Sequence, residues 1–496
     1  MALAPFFERV YSAVGGHLSV SRDDLTSALE NVAVGVKCDS ILSNNDRLIA
    51  ELTTNLLSRI YPRIAIVGSE AYKRELGALA QSINPEIEIV DSAPPEYSVG
   101  IGKTAGGASL HPSALGWVAR LTRASQAVSG PDNPYASGAA AALAAAELFR
   151  RIFLRTSTES DVSVSLLNFD DTTGSDLSLP DADLGDVLFA AVGAVGNAAI
   201  WSLARDSHVR GCLTLIDAEQ LELSNLQRYV LATMRDTSKA KVDIARHALS
   251  NSRLSVDTVP ETLESFADKN GGLTAPTVCI SVDNIATRRA AQAMLPRLVV
   301  NGWTGEKALG VSWHVFSRDA SCLACLYQPH GEGVSQTEQA ARALGLPPDR
   351  AALLWVTRQP LSHADIAAAA NKLGVAQDAL QAWNGKTLGD LYTDVVCGAA
   401  PISLPLTNRT ETVPLAHQSA LAGILMATEL IKRTTPQLVA LSQAESLVSW
   451  DDILRPPPKI WNKPRARERG CICGDPDYQK TYRAKWESSP TNRHSA

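Results

Sequence analysis

The sequence predicts an α/β protein in which one strand–helix–strand unit occurs twice. Three observations carry this. Short apolar, strand-like runs alternate with Ala- and Leu-rich segments of helical spacing along the chain. The run Ile64-Ala-Ile-Val-Gly68 is followed after 23 residues by Asp91, and the turn glycine Gly193 after 24 by Asp217. Finally, AAELFRR at 145–151 echoes ATELIKR at 427–433, each in a helix entered through a proline.

Element by element, residues 1–63 read as helices, since DDLTSALENVAVGV and DRLIAELTTNLLSRI carry apolar residues at helical spacing. Ile64–Gly68 is a short buried strand, and EIEIVD (86–91) is a second. A helix follows over 133–153, entered through Pro134. The polar stretch 154–185 surrounds one strand-like piece, DVSVSLLNF, and reads as a domain boundary. From 187 the pattern restarts with LFAAVG, a helix (NAAIWSLARDS), a strand over 212–217, a strand over 277–283 and a long helix over 413–433. Between Cys325 and Cys397 lie three helical stretches, VSQTEQAARALGL, HADIAAAANKLGV and AQDALQAW. The polar, basic residues from 474 read as a flexible tail.

Composition narrows the classes. A chain of 496 residues has room for about three domains. Its 46 Lys+Arg against 52 Asp+Glu leave a formal charge of −6, which argues against nucleic acid as a partner. Charged residues at 20% and hydrophobic ones at 45% exclude a disordered chain. The start has no basic region ahead of an apolar run, so no signal peptide is expected. Val187–Ala204 imitates a membrane span, but Asn197 and its turn glycines suit a buried strand, turn and helix. The expectation is a soluble cytoplasmic protein without a membrane partner. Eight cysteines are too few for a disulfide framework.

One turn carries nucleotide chemistry. After a strand the chain reads Ala191-Val-Gly193-Ala-Val-Gly196-Asn. Small residues let phosphate approach the backbone, and the helix behind offers N–H donors. Asp217, ending the next strand, is placed to accept hydrogen bonds from ribose hydroxyls. That much also fits an NAD-dependent dehydrogenase. The residues that follow are Glu219, then Ser224-Asn225-Leu226-Gln227-Arg228, Lys241, and Asp283-Asn284 with Thr287-Arg288. Arg228 and Lys241 suit a triphosphate, and Asp283 at a strand end suits Mg²⁺. Hydride transfer needs none of them.

In this order, a Gly-rich turn, D-x-[DE], N-L-x-R, a lysine and D-N-x-x-T-R, the sequence resembles the E1-like activating family, that of ThiF, MoeB and the ubiquitin E1 adenylation domains. The likeness covers roughly 187–325 and 397–473. It implies a Rossmann-like adenylation fold that uses ATP and Mg²⁺ on the C-terminal carboxylate of a ubiquitin-like β-grasp protein. It further implies that Asp217 binds ribose, that Asn225, Arg228 and Lys241 hold phosphates, and that Asp283 takes Mg²⁺. Ala191 and Ala194 stand where the family usually has glycines.

Cys322-Leu-Ala-Cys325 and Cys471-Ile-Cys473 look like two halves of a Zn²⁺ site, since tetrahedral zinc needs four converging thiolates. The family closes its adenylation domain this way, although C-x-C here replaces the usual C-x-x-C. Cys397, in C-x-x-x-P after the helical insert, resembles the thioester cysteine of ubiquitin-type E1s. Cys38, Cys212 and Cys279 sit in apolar or strand contexts and read as packing.

The first half lacks the glycine turn, N-L-x-R and paired lysine, and so reads as an inactive copy. In the family the partner half supplies an arginine to the ATP site. Arg47, 17 positions before Ile64, is the candidate. The expected domains are an inactive adenylation-like domain (1–160), the first part of the active domain (161–325), the helical insert (326–396), the crossover segment with the rest of the active domain (397–473), and the flexible tail (474–496).

The leading expectation is an E1-like enzyme that forms a thioester on Cys397 and passes the modifier to an E2-like protein. It resembles the E1s of bacterial ubiquitin-like conjugation operons linked to antiviral defence, and it leaves room for a homodimer. A sulfur-carrier adenylyltransferase of the ThiF/MoeB sort, without the thioester, is the alternative. A non-enzymatic scaffold that binds nucleotide and a β-grasp partner is disfavoured by the intact Arg228, Lys241 and Asp283.

Overall fold

The computed structural model describes residues 4–18, 22–103, 105–126, 130–156, 160–305, 308–317, 319–327, 336–392, 395, 413–442, 447–451 and 459–487. They fall into two compact units. One holds residues 1–5, 30–328 and 415–496, and the other 6–29 and 329–414.

The second unit is helical. It begins with α1 (Phe7–Leu18) and most of α2 (Arg22–Glu30). The chain returns to it much later, in the insert. The N-terminal helices therefore belong to the insert's unit, not to the α/β half that follows them in sequence.

The first unit starts with β1 (Val34–Cys38), α3 (Asn44–Ser58), β2 (Arg63–Val67), α4 (Glu70–Ile83), β3 (Glu88–Val90) and β4 (Ser98–Ile101). The sheet runs β3-β2-β1-β4, all parallel. An antiparallel sheet β5-β6-β7 follows, made of β5 (His111–Leu115), β6 (Val118–Thr122) and β7 (Val162–Ser165), with α5 (Pro134–Phe149) between its last two strands in sequence. The strand β1 corrects the reading of 1–63 as helix. Val34 and Val36, β-branched and alternating with small or polar neighbours, favour a pleated conformation over a helix.

Then the order repeats. It runs β8 (Ala182–Ala190), α6 (Ala194–Leu203), β9 (Val209–Ile216), α7 (Lys241–Ala248), β10 (Arg253–Val259), α8 (Leu263–Asn270), β11 (Thr277–Ile280), α9 (Ile285–Ala293), β12 (Leu298–Thr304), β13 (Ala308–Val315) and α10 (Leu323–Leu326). The insert's helices come next: α11 (Gln336–Leu344), α12 (Pro348–Thr357), α13 (His363–Leu373) and α14 (Leu388–Leu391). They close on an apolar core that includes Leu344, Leu354, Ile366, Leu380 and Leu391. The chain finishes with α15 (Ala416–Thr434), α16 (Pro436–Leu441), β14 (Leu447–Asp451), β15 (Lys459–Lys463) and α17 (Pro476–Glu487).

The large sheet is β10-β9-β8-β11-β12-β13-β14-β15. Its parallel part, β10-β9-β8-β11, has the strand order of the first sheet, and α15 lies between β13 and β14 as α5 lies between β6 and β7. In this register β1, not the Ile64 strand, occupies the place of β8. The sequence spacing had paired the wrong strands because β1 was read as helix. Val187–Ala204 is the expected strand, turn and helix, and no described helix is long and apolar enough to cross a membrane.

Residues 30–328 form one compact unit, so no break falls at the boundary expected near 160. Small residues explain the junction. Every residue of α5 is buried, as are Ala416 through Lys432 of α15. A Cβ on Gly138 would come within 2.8 Å of Ile424 and 2.9 Å of Trp201, and one on Gly423 would strike the Val195 carbonyl. Each of these two helices also buries a glutamate amid bases placed three and four residues on. Glu147 meets Arg150 (2.8 Å) and Arg151 (3.3 Å), and Glu429 meets Lys432 and Arg433 (3.1 Å). That is the structural content of the AAELFRR and ATELIKR echo.

The tail is corrected too. Residues 476–487 are the helix α17, tied down by the Trp486 indole donating to the Leu295 carbonyl (2.7 Å) and by Lys485 donating to the carbonyls of Leu273 (2.6 Å) and Met294 (2.7 Å). Basic composition alone concealed this, because the anchors are the polar tips of largely apolar side chains.

Candidate active site

The turn between β8 and α6 sits at the carboxyl edge of the parallel sheet. Gly193 is the helix N-cap and provides no side-chain cap, so the first N–H groups of α6 lack an internal acceptor there. A Cβ on Gly193 would meet only the Tyr229 hydroxyl, at 3.7 Å. Gly196 is different, because a Cβ there would lie 2.6 Å from the Ala191 carbonyl oxygen. Ala191 itself has φ of 71°, the left-handed region where the family's glycine would be unstrained. The alanine substitution noted in the sequence therefore has a physical cost, and the turn keeps its course nonetheless.

Asp217, at the end of β9, is buried and grips this turn. Its carboxylate accepts from the N–H of Val192 (3.0 Å) and of Glu219 (2.9 Å). Burial raises its pKa, and Lys241 opposes that rise. Lys241 is buried and ion-paired to the exposed Glu219. Burial disfavours its charge, but Tyr229, Glu219 and Asp217 together outweigh that and raise its pKa.

The segment after β9 brings Arg228 to the same place. Its guanidinium lies 6.0 Å from the Tyr229 ring, and the Lys241 ammonium lies 5.3 Å from that ring on its own account. The Arg228 Nη1 is buried with no hydrogen-bond partner among the described residues. Burial lowers its pKa, while Tyr229 and Asp283 favour its charge. An orphaned cationic donor beside an uncapped helix N-terminus fits a phosphate group. Asn225 uses its side-chain carbonyl to accept from the Glu222 N–H (3.0 Å), shaping the turn before Arg228.

Asp283 is exposed, just beyond β11. Its neighbours fix it. Asn284 caps α9 by accepting from the N–H of Ala286 (2.7 Å) and Thr287 (3.3 Å). Arg288 is buried and donates to the Val282 carbonyl, to Asn301, and to the Tyr327 hydroxyl (3.0 Å). The sequence element D-N-x-x-T-R thus delivers one acid, one cap and one buried anchor. An exposed carboxylate at this edge fits Mg²⁺, which binds through one or two carboxylates plus phosphate oxygens.

Arg47 is elsewhere. It is exposed near the start of α3, its guanidinium 5.9 Å from the Tyr72 ring. At 1.5 Å per residue, about 18 Å of helix separates it from Arg59 at the other end. Arg59, by contrast, is a first-half arginine that reaches the second half, at Leu226 and Ala232, and the sequence reading missed it. Tyr229 was missed as well, and Asn197 and Ser281 stood inside the quoted motifs without a role. Asn197 accepts from the Leu231 N–H (2.8 Å), and the Ser281 hydroxyl donates to the Ala191 carbonyl (3.3 Å). Only their place inside or beside the recognised motifs could have flagged them.

The four cysteines expected to bind metal converge. Cys322, Cys325, Cys471 and Cys473 are buried, with all four sulfurs within 4.8 Å of one another. Three separations are 3.5 Å (Cys322–Cys471), 3.6 Å (Cys325–Cys473) and 4.0 Å (Cys322–Cys325). A ZnS₄ tetrahedron with Zn–S of about 2.3 Å has edges of about 3.8 Å, so the residues fit zinc. The C-x-C spacing is no obstacle. The rings of Phe316 and of Tyr482 in α17 pack beside the site, tilted to each other with centroids 5.2 Å apart. Of the remaining cysteines, Cys38 and Cys279 are buried as expected, whereas Cys212 is exposed, a correction to its reading as packing. Cys397 lies outside the described residues.

With this geometry in view, family relationships can be stated. The ThiF family model matches residues 185–453, and the model of Prokaryotic E2 family C matches 39–154. The chain belongs to the ThiF family and is an adenylating enzyme of that family. It is 33% identical over 517 residues to the uncharacterized protein y4jF of Sinorhizobium fredii, covering 99% of this chain and 98% of that protein. Among solved structures, E. coli MccB is similar at 17% identity and TM-score 0.37, over 59% of this chain and 65% of that one. MccB with ATP gives 17% and 0.37, over 60% and 68%. The chain thus spans about two thirds of those proteins.

Two outcomes are expected. Gly196→Ala should lower the melting temperature and abolish MgATP binding, while Ala191→Gly should leave both at or above wild type, since relief of about 1 kcal/mol of left-handed strain offsets the added chain entropy. Melting curves and calorimetric titration check this, and a tolerated Gly196→Ala would contradict the geometry. Elemental analysis of purified protein should find about one zinc per chain, and Cys471→Ser should lower both zinc content and melting temperature because metal binding is coupled to folding. Zinc-free protein of full stability would remove the metal from the account.

Proposed function

We propose that this chain is an E1-like enzyme that adenylates the C-terminal carboxylate of a ubiquitin-like protein, takes the modifier onto Cys397 as a thioester, and passes it to an E2-like protein. The observation that carries the adenylation step is the orphaned Arg228 donor beside the open N-terminus of α6.

The chemistry assigns each residue a task. A carboxylate oxygen of the modifier attacks the α-phosphorus of ATP, the bond from that phosphorus to the bridging oxygen breaks, and pyrophosphate leaves. Arg228 and the α6 N–H groups face the charge that accumulates on the departing oxygens. Lys241 adds a second cation, released to the phosphates as the exposed Glu219 swings away. Asp217 holds the turn and presents its remaining acceptor capacity to ribose. Asp283 would hold Mg²⁺, which supplies charge neutralisation on the phosphates. In the second step the Cys397 thiolate attacks the acyl carbon of the mixed anhydride, and AMP leaves.

In this reading the first half is a degenerate copy that no longer binds nucleotide. The two halves share a strand order, yet their corresponding helices begin differently. Helix α3 is closed by a capping box, in which the Ser43 hydroxyl accepts from the Asp46 N–H and the Asp46 carboxylate from the Ser43 N–H, both at 3.2 Å. An acidic cap there occupies the donors that a phosphate would use.

The match of 39–154 to an E2 family raises a second reading, a built-in E2. That segment contains no cysteine. Cys38, just before it, is buried, and desolvation with help from Asp46 and Asp39 pushes its thiol up to about 12. A thiol so disfavoured for ionisation is a poor acyl acceptor, so the E2-like cysteine belongs to another protein. The setting proposed is a bacterial ubiquitin-like conjugation system of the defence-associated kind, in the cytoplasm.

The test uses a β-grasp protein ending in a free glycine carboxylate. ATP–pyrophosphate exchange should depend on it and should fall by ~10²-fold or more in Asp283→Ala and Arg228→Ala. Cys397→Ala should retain exchange and lose the reductant-sensitive adduct seen with wild type. Exchange without any adduct on Cys397 in wild type would favour the sulfur-carrier adenylyltransferase, and exchange indifferent to Asp283 would remove that residue from the mechanism.

A further inference from the structure

We infer that Arg59, from the first half, is a positioning residue for nucleotide binding, acting through the loop that carries Arg228. The inference rests on the adenylation reading above.

Arg59 follows the last turn of α3 and is fully buried. Its guanidinium forks between the two halves. Nη1 donates to the Leu226 carbonyl, Nη2 to the Ala232 carbonyl (3.0 Å), and Nε to the Asn55 side-chain oxygen (2.9 Å). The Asn55 amide in turn donates to the Val230 carbonyl (2.9 Å). These contacts bracket residues 226–232, and Arg228 and Tyr229 lie inside the bracket. From the second half, Asn197 holds the Leu231 N–H of the same loop. The loop is thus pinned on both sides by side chains, with Arg228 projecting from it.

The charge of Arg59 is the informative part. Among the described residues no carboxylate pairs with it, and burial alone pushes its guanidinium down to about 9. Pinning three carbonyl-type acceptors would be cheaper for a neutral side chain, because a buried unpaired charge is costly. An unneutralised cation behind the Arg228 loop becomes favourable once a polyanion binds in front of it. Lysine would supply the charge but not the planar fork that reaches Leu226 and Ala232 together.

A double-mutant cycle on the full-length protein tests this, reading the affinity for the magnesium complex of a non-hydrolysable ATP analogue by calorimetry. Arg59→Lys should weaken binding by roughly ten-fold, the scale of lost charge-assisted hydrogen bonds. In an Arg228→Ala background the same change should have no further effect, because a residue that acts through Arg228 has nothing left to position. Asn55→Ala keeps the charge and removes one pin. It should weaken binding by a smaller factor, again only when Arg228 is present, and it carries the test if Arg59→Lys fails to fold. Equal losses with and without Arg228, or unchanged affinity in Arg59→Lys, overturn the inference while leaving the adenylation reading standing. A wild-type protein that does not bind the analogue overturns both.

Discussion

The nucleotide face depends on the grip that buried arginines exert on backbone carbonyls. Two loops carry Arg228 and Asp283, and neither is a regular element at that point. Arg59 holds the carbonyls of Leu226 and Ala232, and Arg288 holds the carbonyl of Val282, next to Asp283. In both cases the guanidinium is buried and its fixed fork determines where the chain runs. A loop held by water alone would sample many positions, and each would cost binding energy to select. The arginines spend that cost during folding.

This grip is available because the two halves approach so closely. Arg59 reaches across only where α3 packs against α5 and where α5, α6 and α15 lie against one another. Glycine and alanine at these contacts bring the helix backbones together, and the buried Glu147 and Glu429 satisfy the bases that share the same helices. Larger side chains in such a seam would push its helices apart, and α3, packed on α5, would carry the loop of Arg228 with it. The first half therefore bears on the loop that carries Arg228.

Much of this was legible in the sequence, and the limits have physical causes. The glycine turn, Asp217 and Asp283 lie at one edge because each follows the end of a parallel strand, whereas Arg228 lies in the loop after β9 and Lys241 opens α7. The two cysteine pairs were legible as half-sites from their short spacings, although 149 positions separate Cys322 from Cys471. Arg59 was invisible because its function depends on a contact between residues 167 positions apart in sequence. Arg47 was favoured by a spacing counted from the wrong strand. That error began with Val34–Cys38, where five residues beside an amphipathic run took the helical period of their neighbours. The tail helix α17 was missed because its anchors are an indole and an ammonium reaching carbonyls far back in the chain.

The two helix starts differ although the parallel strands that precede them hold the same place in the strand order. Both α3 and α6 leave the carboxyl edge of a parallel sheet at the same place in the strand order, and both present N–H groups there. In α6 the N-cap is a glycine and no side chain caps the first donors, with the buried Arg228 donor nearby. In α3 Ser43 and Asp46 close a capping box, which places an acid at the helix start. A capping box of this kind stabilises a helix by about 1 kcal/mol or somewhat more, which an open anion site gives up. The open start is thus a local sacrifice of stability, sustained by the packing of α6 against α15 and by the turn's attachment to Asp217. The closed start gains that stability back in a half whose opposite helix end, at Arg59, does the work of holding its neighbour.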